Sequence, residues 1–215
     1  MVFKRIKVEV QENGDTNCYI VQDERTLETM VVDPGGEIQK IINMLDALKA
    51  NVKYIYLTHC HGDHIGAVNQ LREKYNATVL IHRFDEQGLK NGSINLSSYI
   101  GMGDIIVDNA YRVDGGDIIH VGDIAFKVLY TPGHTIGSSS LYCKKEKLVF
   151  SGDTIFRGTW GRTDLPTGDF HDVISSITNK IMHLPDDTII YPGHGKSTMV
   201  KEERPIYEDL RPRTD

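Results

Sequence analysis

Three histidines and an aspartate crowd into His59-Cys60-His61-Gly62-Asp63-His64, an H-x-H-x-D-H pattern that places four potential metal ligands within six residues. Imidazole and carboxylate together suit Zn, Fe or Mn. Burying four such groups without a partner would be costly, so the stretch points to a metal centre rather than to a polar turn. Three more residues of ligand type stand beside glycines at the ends of apolar runs, in Gly133-His134, Gly152-Asp153 and Gly193-His194. Singly, each reads as an ordinary turn residue. Together they make seven donors, more than one tetrahedral ion can use.

Strands must deliver these residues. The apolar, β-branched and aromatic run 52–57 predicts a buried strand that ends on the ligand loop, and Ile65, Val68, Leu71 and Tyr75 then recur at helical spacing. Upstream, strands are expected at 6–10, 17–22 and 29–32, the last running into the turn Asp33-Pro34-Gly35-Gly36, with an amphipathic helix over about 37–50. Downstream come a strand at 77–82 and hairpins pairing 117–121 with 124–130 and 138–143 with 148–153. After the glycine-rich loop 158–168, Asp169 reads as the N-cap of a helix carrying Phe170, Val173, Ile174, Ile177, Ile181 and Leu184. A core strand at 188–191 precedes His194, and Pro205 and Pro212 leave room for only a short terminal helix. Segment 84–109, interrupted by four glycines, reads equally as a lid or as a surface excursion.

Nothing marks a boundary or a repeat, so one domain over 1–215 is expected. At 40% hydrophobic and 25% charged residues the composition is that of a soluble globular protein, and a net charge of −6 offers no electrostatic footprint for nucleic acid. The N-terminus alternates charged with apolar residues instead of presenting a secretory block, and no run reaches membrane-spanning length. A cytoplasmic protein acting on a small molecule, with no membrane partner, is the expectation; oligomeric state is not read from these features. Cys18, Cys60 and Cys143 lie far apart in no C-x-x-C pair, which argues against a disulfide framework and a thiolate zinc site. Cys60 reads as a small packing residue.

Taken in order, H-x-H-x-D-H, Gly133-His134, Gly152-Asp153 and Gly193-His194 resemble the metallo-β-lactamase superfamily over essentially the whole chain. The resemblance implies an α/β fold, a four-layer αββα sandwich with its metal site at one edge of two sheets. It implies two divalent ions, Zn in the first place with Fe or Mn also suited. His59, His61 and His134 would hold one, Asp63, His64 and His194 the other, and Asp153 would bridge them. Asp63 and Asp153 are thereby the residues on which catalysis would turn.

Within the superfamily, Thr131-Pro132-Gly133-His134-Thr135, Gly152-Asp153-Thr154-Ile155-Phe156 and Gly161-Arg162-Thr163-Asp164 are most similar to the glyoxalase II-like branch, the hydroxyacylglutathione hydrolases and their short bacterial relatives. Two features depart from it. Only 21 residues follow His194, where full-length glyoxalase II enzymes carry a helical domain, and Asp164 stands where they tend to place a tyrosine. Thioester hydrolysis therefore transfers better than glutathione specificity. In the chemistry implied, a metal-bridging water whose pKa falls from about 15.7 toward about 7 attacks a carbonyl. The leaving thiolate, with a conjugate-acid pKa of about 8.5, needs no dedicated proton donor.

The same residues leave rivals: a mononuclear-iron persulfide dioxygenase, a lactonase, and a metal-stabilised non-enzymatic module, the last disfavoured because seven ligands exceed a structural site's needs. The lack of a secretory block argues against a secreted β-lactamase, and the acidic balance against a nuclease. Two further residues complete the expectations. Asp33, delivered by the preceding strand to the same sheet edge, is expected to accept a ligand histidine's N–H, with a turn-forming role as the alternative. Arg162, on the loop leaving Asp153, is expected to bind an anionic part of the substrate, with internal pairing to Asp164 or Asp169 as the alternative.

Overall fold

The computed structural model describes residues 1–9 and 15–208. In chain order it contains β1 (Val2–Glu9), β2 (Asp15–Gln22), β3 (Glu28–Val32), α1 (Ile38–Ala47), β4 (Asn51–Leu57), α2 (Gly62–Ile65), α3 (Val68–Tyr75), β5 (Thr78–His82), β6 (Tyr111–Val113), β7 (Ile118–Val121) and β8 (Ile124–Tyr130). There follow β9 (Ser139–Cys143), β10 (Leu148–Gly152), α4 (Phe170–Asn179), β11 (Ile189–Pro192), β12 (Thr198–Met199) and α5 (Val200–Glu208). Two six-stranded sheets result, β1-β2-β3-β4-β5-β6 and β12-β11-β10-β9-β8-β7.

Period-two alternation explains the layering. Tyr19, Val21, Met30, Val32 and Tyr56 point from the first sheet onto Phe126, Val128, Leu141 and Phe150 of the second. Their neighbours Ile20, Val31, Ile55 and Leu57 point the other way, under Ile41 and Leu45 of α1 and Val68 and Leu71 of α3. On the far side Val149 and Ile190 pack beneath Val173 and Ile177 of α4 and Val200 and Tyr207 of α5. This is the four-layer αββα sandwich, and each fully buried aliphatic or aromatic side chain in it contributes about 1.5–3 kcal/mol.

β3, β4, β5 and β6 run parallel, as do β10 and β11, so their carboxyl ends gather at one edge. The loops leaving β3, β4, β5, β8, β10 and β11 carry Asp33, the H-x-H-x-D-H run, Asp85, His134, Asp153 and His194 in turn.

Several expectations shift. The helix predicted over 37–50 stops at Ala47, because Leu48 caps it and Lys49 turns into the left-handed region at φ 51°. The helix predicted from Ile65 is split: the Ala67 N–H bonds the Pro34 carbonyl, and a Cβ on Gly66 would fall 2.1 Å from the Gly35 carbonyl oxygen. α5 is the short terminal helix expected, nine residues long, with Pro205 inside it and Val200, Glu203 and Tyr207 buried. β6 and β12 went unpredicted because two or three residues carry no period. The predicted end of the first strand at Val10, and Pro212, lie outside the described residues.

Segment 84–109 forms hydrogen-bonded turns rather than a free flap. The Gly62 N–H donates to the Asn95 carbonyl at 2.6 Å, and the Asn95 amide and the Ser97 hydroxyl bridge to Ile105. The segment is thereby tied to the ligand loop. Among the described residues no helix is long and apolar enough to cross a membrane.

Candidate metal centre

All seven residues of ligand type converge at the shared edge. Their donor atoms form three overlapping groups, each within 4.8 Å: His59, His61 and His134; His59, His64 and Asp153; Asp63, His64 and His194. His61 Nδ1 lies 2.9 Å from His134 Nε2, and His194 Nε2 lies 3.2 Å from Asp63 Oδ2. Asp153 stands between the groups, its carboxylate oxygens 3.5 Å from His64 Nε2, 3.6 Å from His134 Nε2 and 3.4 Å from His194 Nε2. A Cβ on Gly193 would fall 2.1 Å from Asp153 Oδ1, so glycine there admits the carboxylate.

The surroundings decide which imidazole nitrogen carries its proton. A carbonyl can only accept, so His134 Nδ1–H donates to the Arg162 carbonyl at 2.8 Å and His194 Nδ1–H to the Asp15 carbonyl at 2.9 Å. The Thr58 hydroxyl gives its one proton to Asp33 Oδ2 at 2.7 Å, which leaves it to accept from His59 Nδ1–H at 3.1 Å. In all three rings Nε2 is the nitrogen left facing the cluster, a lone pair whenever the ring is neutral. His64 Nδ1 lies 3.1 Å from Asp33 Oδ2, an ion-pair distance, although the ring is not turned to make a hydrogen bond.

In the metal-free protein the electrostatics split the cluster. Burial, reinforced by neighbouring imidazoles, holds His59 well below the usual histidine range and His61 down to about 3. Burial also opposes the charge on His64 and His194, but Asp63 and Asp153 outweigh it, lifting His64 to about 9 and His194 to about 11. Asp63 and Asp153 are held down in turn: burial pushes each up and the adjacent imidazoles overcome it. Buried His59 Nε2, His61 Nε2 and Asp153 Oδ1 make no hydrogen bond. Each such orphan costs about 1–3 kcal/mol. Imidazole nitrogens and carboxylates crowded at common points, several of their buried atoms without a hydrogen-bond partner, are what divalent cations require, and the residues present fit them.

The cluster floors a cavity of about 560 Å³. Leu96, Tyr99 and Ile100 of segment 84–109 form one wall, and Phe156, Arg162 and Leu165 the other. The guanidinium of Arg162 is engaged with Asp164 through two hydrogen bonds of 2.7 Å while also lining the cavity. Asp33 is buried at φ 51°, and its carboxylate accepts the Thr58 N–H at 2.8 Å in addition to the hydroxyl. Cys60 is a buried free thiol packed against Gly88. Leu96, Tyr99 and Ile100 are apolar residues of the segment read as a lid or a surface excursion, whereas the roles of Thr58 and of Asp85, which bonds both ligand loops from the end of β5, were not singled out from the sequence.

The family model of the metallo-beta-lactamase superfamily matches residues 12–194. The chain belongs to this superfamily of metal-dependent hydrolases. Among its relatives, hydroxyacylglutathione hydrolase GloC of Haemophilus influenzae is 33% identical over 197 residues, 87% of this chain and 88% of the relative. The crystal structure of BLEG-1 B3 metallo-beta-lactamase superposes with a TM-score of 0.89 at 34% identity, covering 98% of this chain and all of the other. ETHE1 from Myxococcus xanthus superposes at 0.79 with 29% identity, covering 97% of this chain and 84% of that one.

Proposed function

We propose that the protein hydrolyses small-molecule thioesters of the hydroxyacylglutathione type, using two divalent metal ions. The observation that carries this reading is the place of Asp153, within 3.6 Å of imidazoles belonging to both ligand groups. His59, His61 and His134 would hold one ion, Asp63, His64 and His194 the other, with Asp153 shared. Zn suits the donor set first, and Fe or Mn also fit it. When bound, such ions supply an activated water and polarise a carbonyl.

The chain's own residues do the rest. Asp63 and Asp153 bring the negative charge that offsets two cations, and Asp33 fixes His59 through Thr58 and stands against His64. Leu96, Tyr99, Ile100, Phe156 and Leu165 exclude water from the walls and receive apolar parts of the substrate. Arg162 meets an anionic group by exchanging Asp164 for it. No side chain need protonate a departing thiolate, whose conjugate acid has a pKa of about 8.5. The likeness to GloC supports the thioester class. The absence of nucleic-acid or membrane partners, and a cytoplasmic setting, belong to the same reading.

A second reading, a mononuclear-iron persulfide dioxygenase, is favoured by the likeness to ETHE1. One panel separates them: metal content of protein purified without added metal, and turnover of thioesters, lactones, β-lactams and persulfides. Two ions per chain with thioester cleavage is the expected result. One iron per chain with persulfide-dependent oxygen uptake would replace it with the second reading.

A further inference from the structure

We propose that Asp85 is a positioning residue that sets the separation of the two loops carrying His59, His61 and His134; this rests on reading those three as ligands of one ion. Asp85 lies three residues beyond the end of β5 and is 2% exposed. Its Oδ2 accepts the Cys60 N–H at 2.9 Å and the Thr135 hydroxyl at 2.7 Å, and its Oδ1 accepts the Gly137 N–H at 2.7 Å. Cys60 sits between two ligand histidines and Thr135 follows the third. One carboxylate therefore joins both loops.

Packing leaves this joint little slack. A Cβ on Gly137 would fall 2.5 Å from Asp85 Oδ1, and one on Gly88 would fall 2.4 Å from Cys60 Sγ. Tyr130, whose ring stacks on His82 at 4.3 Å, donates its hydroxyl to the Ile136 carbonyl, and the Ile136 N–H donates to the Thr167 hydroxyl, so all three residues after His134 are held. The site needs such external support. His61 Nδ1 and His134 Nε2 stand 2.9 Å apart, and because His134 gives its Nδ1–H to the Arg162 carbonyl, His61 Nδ1–H donates to His134 Nε2 in the metal-free protein, a bond that a shared cation must displace without the two loops drifting apart.

The chemistry also specifies the residue type. All three partners are donors, so the group between them must accept at both oxygens. A carboxylate does this. A carboxamide must turn its NH₂ toward either the Gly137 or the Cys60 backbone N–H, and loses that bond. Burial pushes the Asp85 carboxyl up, and the hydrogen bonds from Thr135, Gly137 and Cys60 pull against it.

The test compares three variants of the full chain, with Zn²⁺ affinity measured by competition with a chromogenic chelator and thermal melts of each metal-free form. Asp23 supplies the control: it too is buried and accepts three backbone N–H groups, from Arg25, Thr26 and Asp123, but at the opposite end of the sheets. Asp85→Asn should weaken Zn²⁺ binding about 10–100-fold, and Thr135→Val about 2–10-fold. Asp23→Asn should lower Tm and leave affinity unchanged. Wild-type affinity in both Asp85→Asn and Thr135→Val would overturn the proposal, as would an equal loss in Asp23→Asn for the same drop in Tm. If Asp85→Asn does not fold, Thr135→Val against Asp23→Asn decides. No substrate enters the measurement, so a wild type that binds Zn²⁺ without cleaving thioesters overturns only the proposed function, and one that binds no metal overturns both.

Discussion

Asp33 grips Thr58 twice, accepting its backbone N–H at one oxygen and its hydroxyl at the other, and that second bond settles which nitrogen of His59 is protonated. A residue 25 positions upstream of Thr58 thus aims the first histidine of the ligand run. Asp33→Ala should leave the Thr58 N–H buried without an acceptor, at about 1–3 kcal/mol, and free the Thr58 hydroxyl to donate to His59. Zn²⁺ affinity should fall about 10–100-fold. Unchanged affinity in a chelator competition would mean that Asp33 serves the turn alone.

Asp153→Asn should fold and lose activity. The strand that carries it, β10, packs its core residues independently of the carboxylate, so the fold is kept, while the thermal midpoint of the metal-free protein should drop because His64 and His194 lose a buried ion-pair partner. Turnover should drop by more than about 100-fold, exceeding the usual loss for a residue that acts only through a ligand. Full metal occupancy with near wild-type kcat would refute its place between the ions.

Acid and alkali should each destabilise the metal-free protein, for opposite reasons. His61, near 3 when folded and about 6.5 when unfolded, contributes stability above about 6.5 that is lost as the pH falls toward 3. His64 and His194, raised to about 9 and about 11, contribute stability below about 6.5 that is lost as the pH climbs through those values. Tm should therefore peak near pH 6–7 or so and decline by about pH 9. With metal bound the same imidazoles are needed neutral, so the alkaline decline should vanish between about pH 6.5 and 8. Melts with and without chelator across this range check both limbs.

Arg162 and Asp164 form an exposed pair at the cavity wall. Arg162→Ala should reduce kcat/KM about tenfold for carboxylate-bearing thioesters, as loss of one charge-assisted contact does, and barely alter neutral ones. Asp164→Asn, which releases the guanidinium, should raise kcat/KM for the anionic substrates. Equal losses on both substrate classes, with lower Tm, would assign the pair to holding the loop.

The ligand run was legible because its donors are adjacent in the chain, and the strands because burial on both faces writes apolar and aromatic runs such as 54–57. Asp85 was not, because its three partners lie 25, 50 and 52 residues away and no local pattern announces them. Arg162 shows a subtler limit. Its side-chain chemistry drew attention, yet the contact it makes with a ligand runs through its main-chain carbonyl, a group that every residue owns. The split of the helix at Gly66 was equally hidden, since the obstructing carbonyl belongs to Gly35.

The first sheet is built wholly from residues before 114 and the second wholly from residues after 117. His59, His61, Asp63 and His64 belong to the first half of the chain, and His134, Asp153 and His194 to the second. Neither half owns a full set, so a bound ion would act as a rivet through the seam between two slabs. Loading should then register as resistance to shear: cut at the short connector 114–117, the two fragments should reassociate more tightly when metal is supplied than when it is withheld.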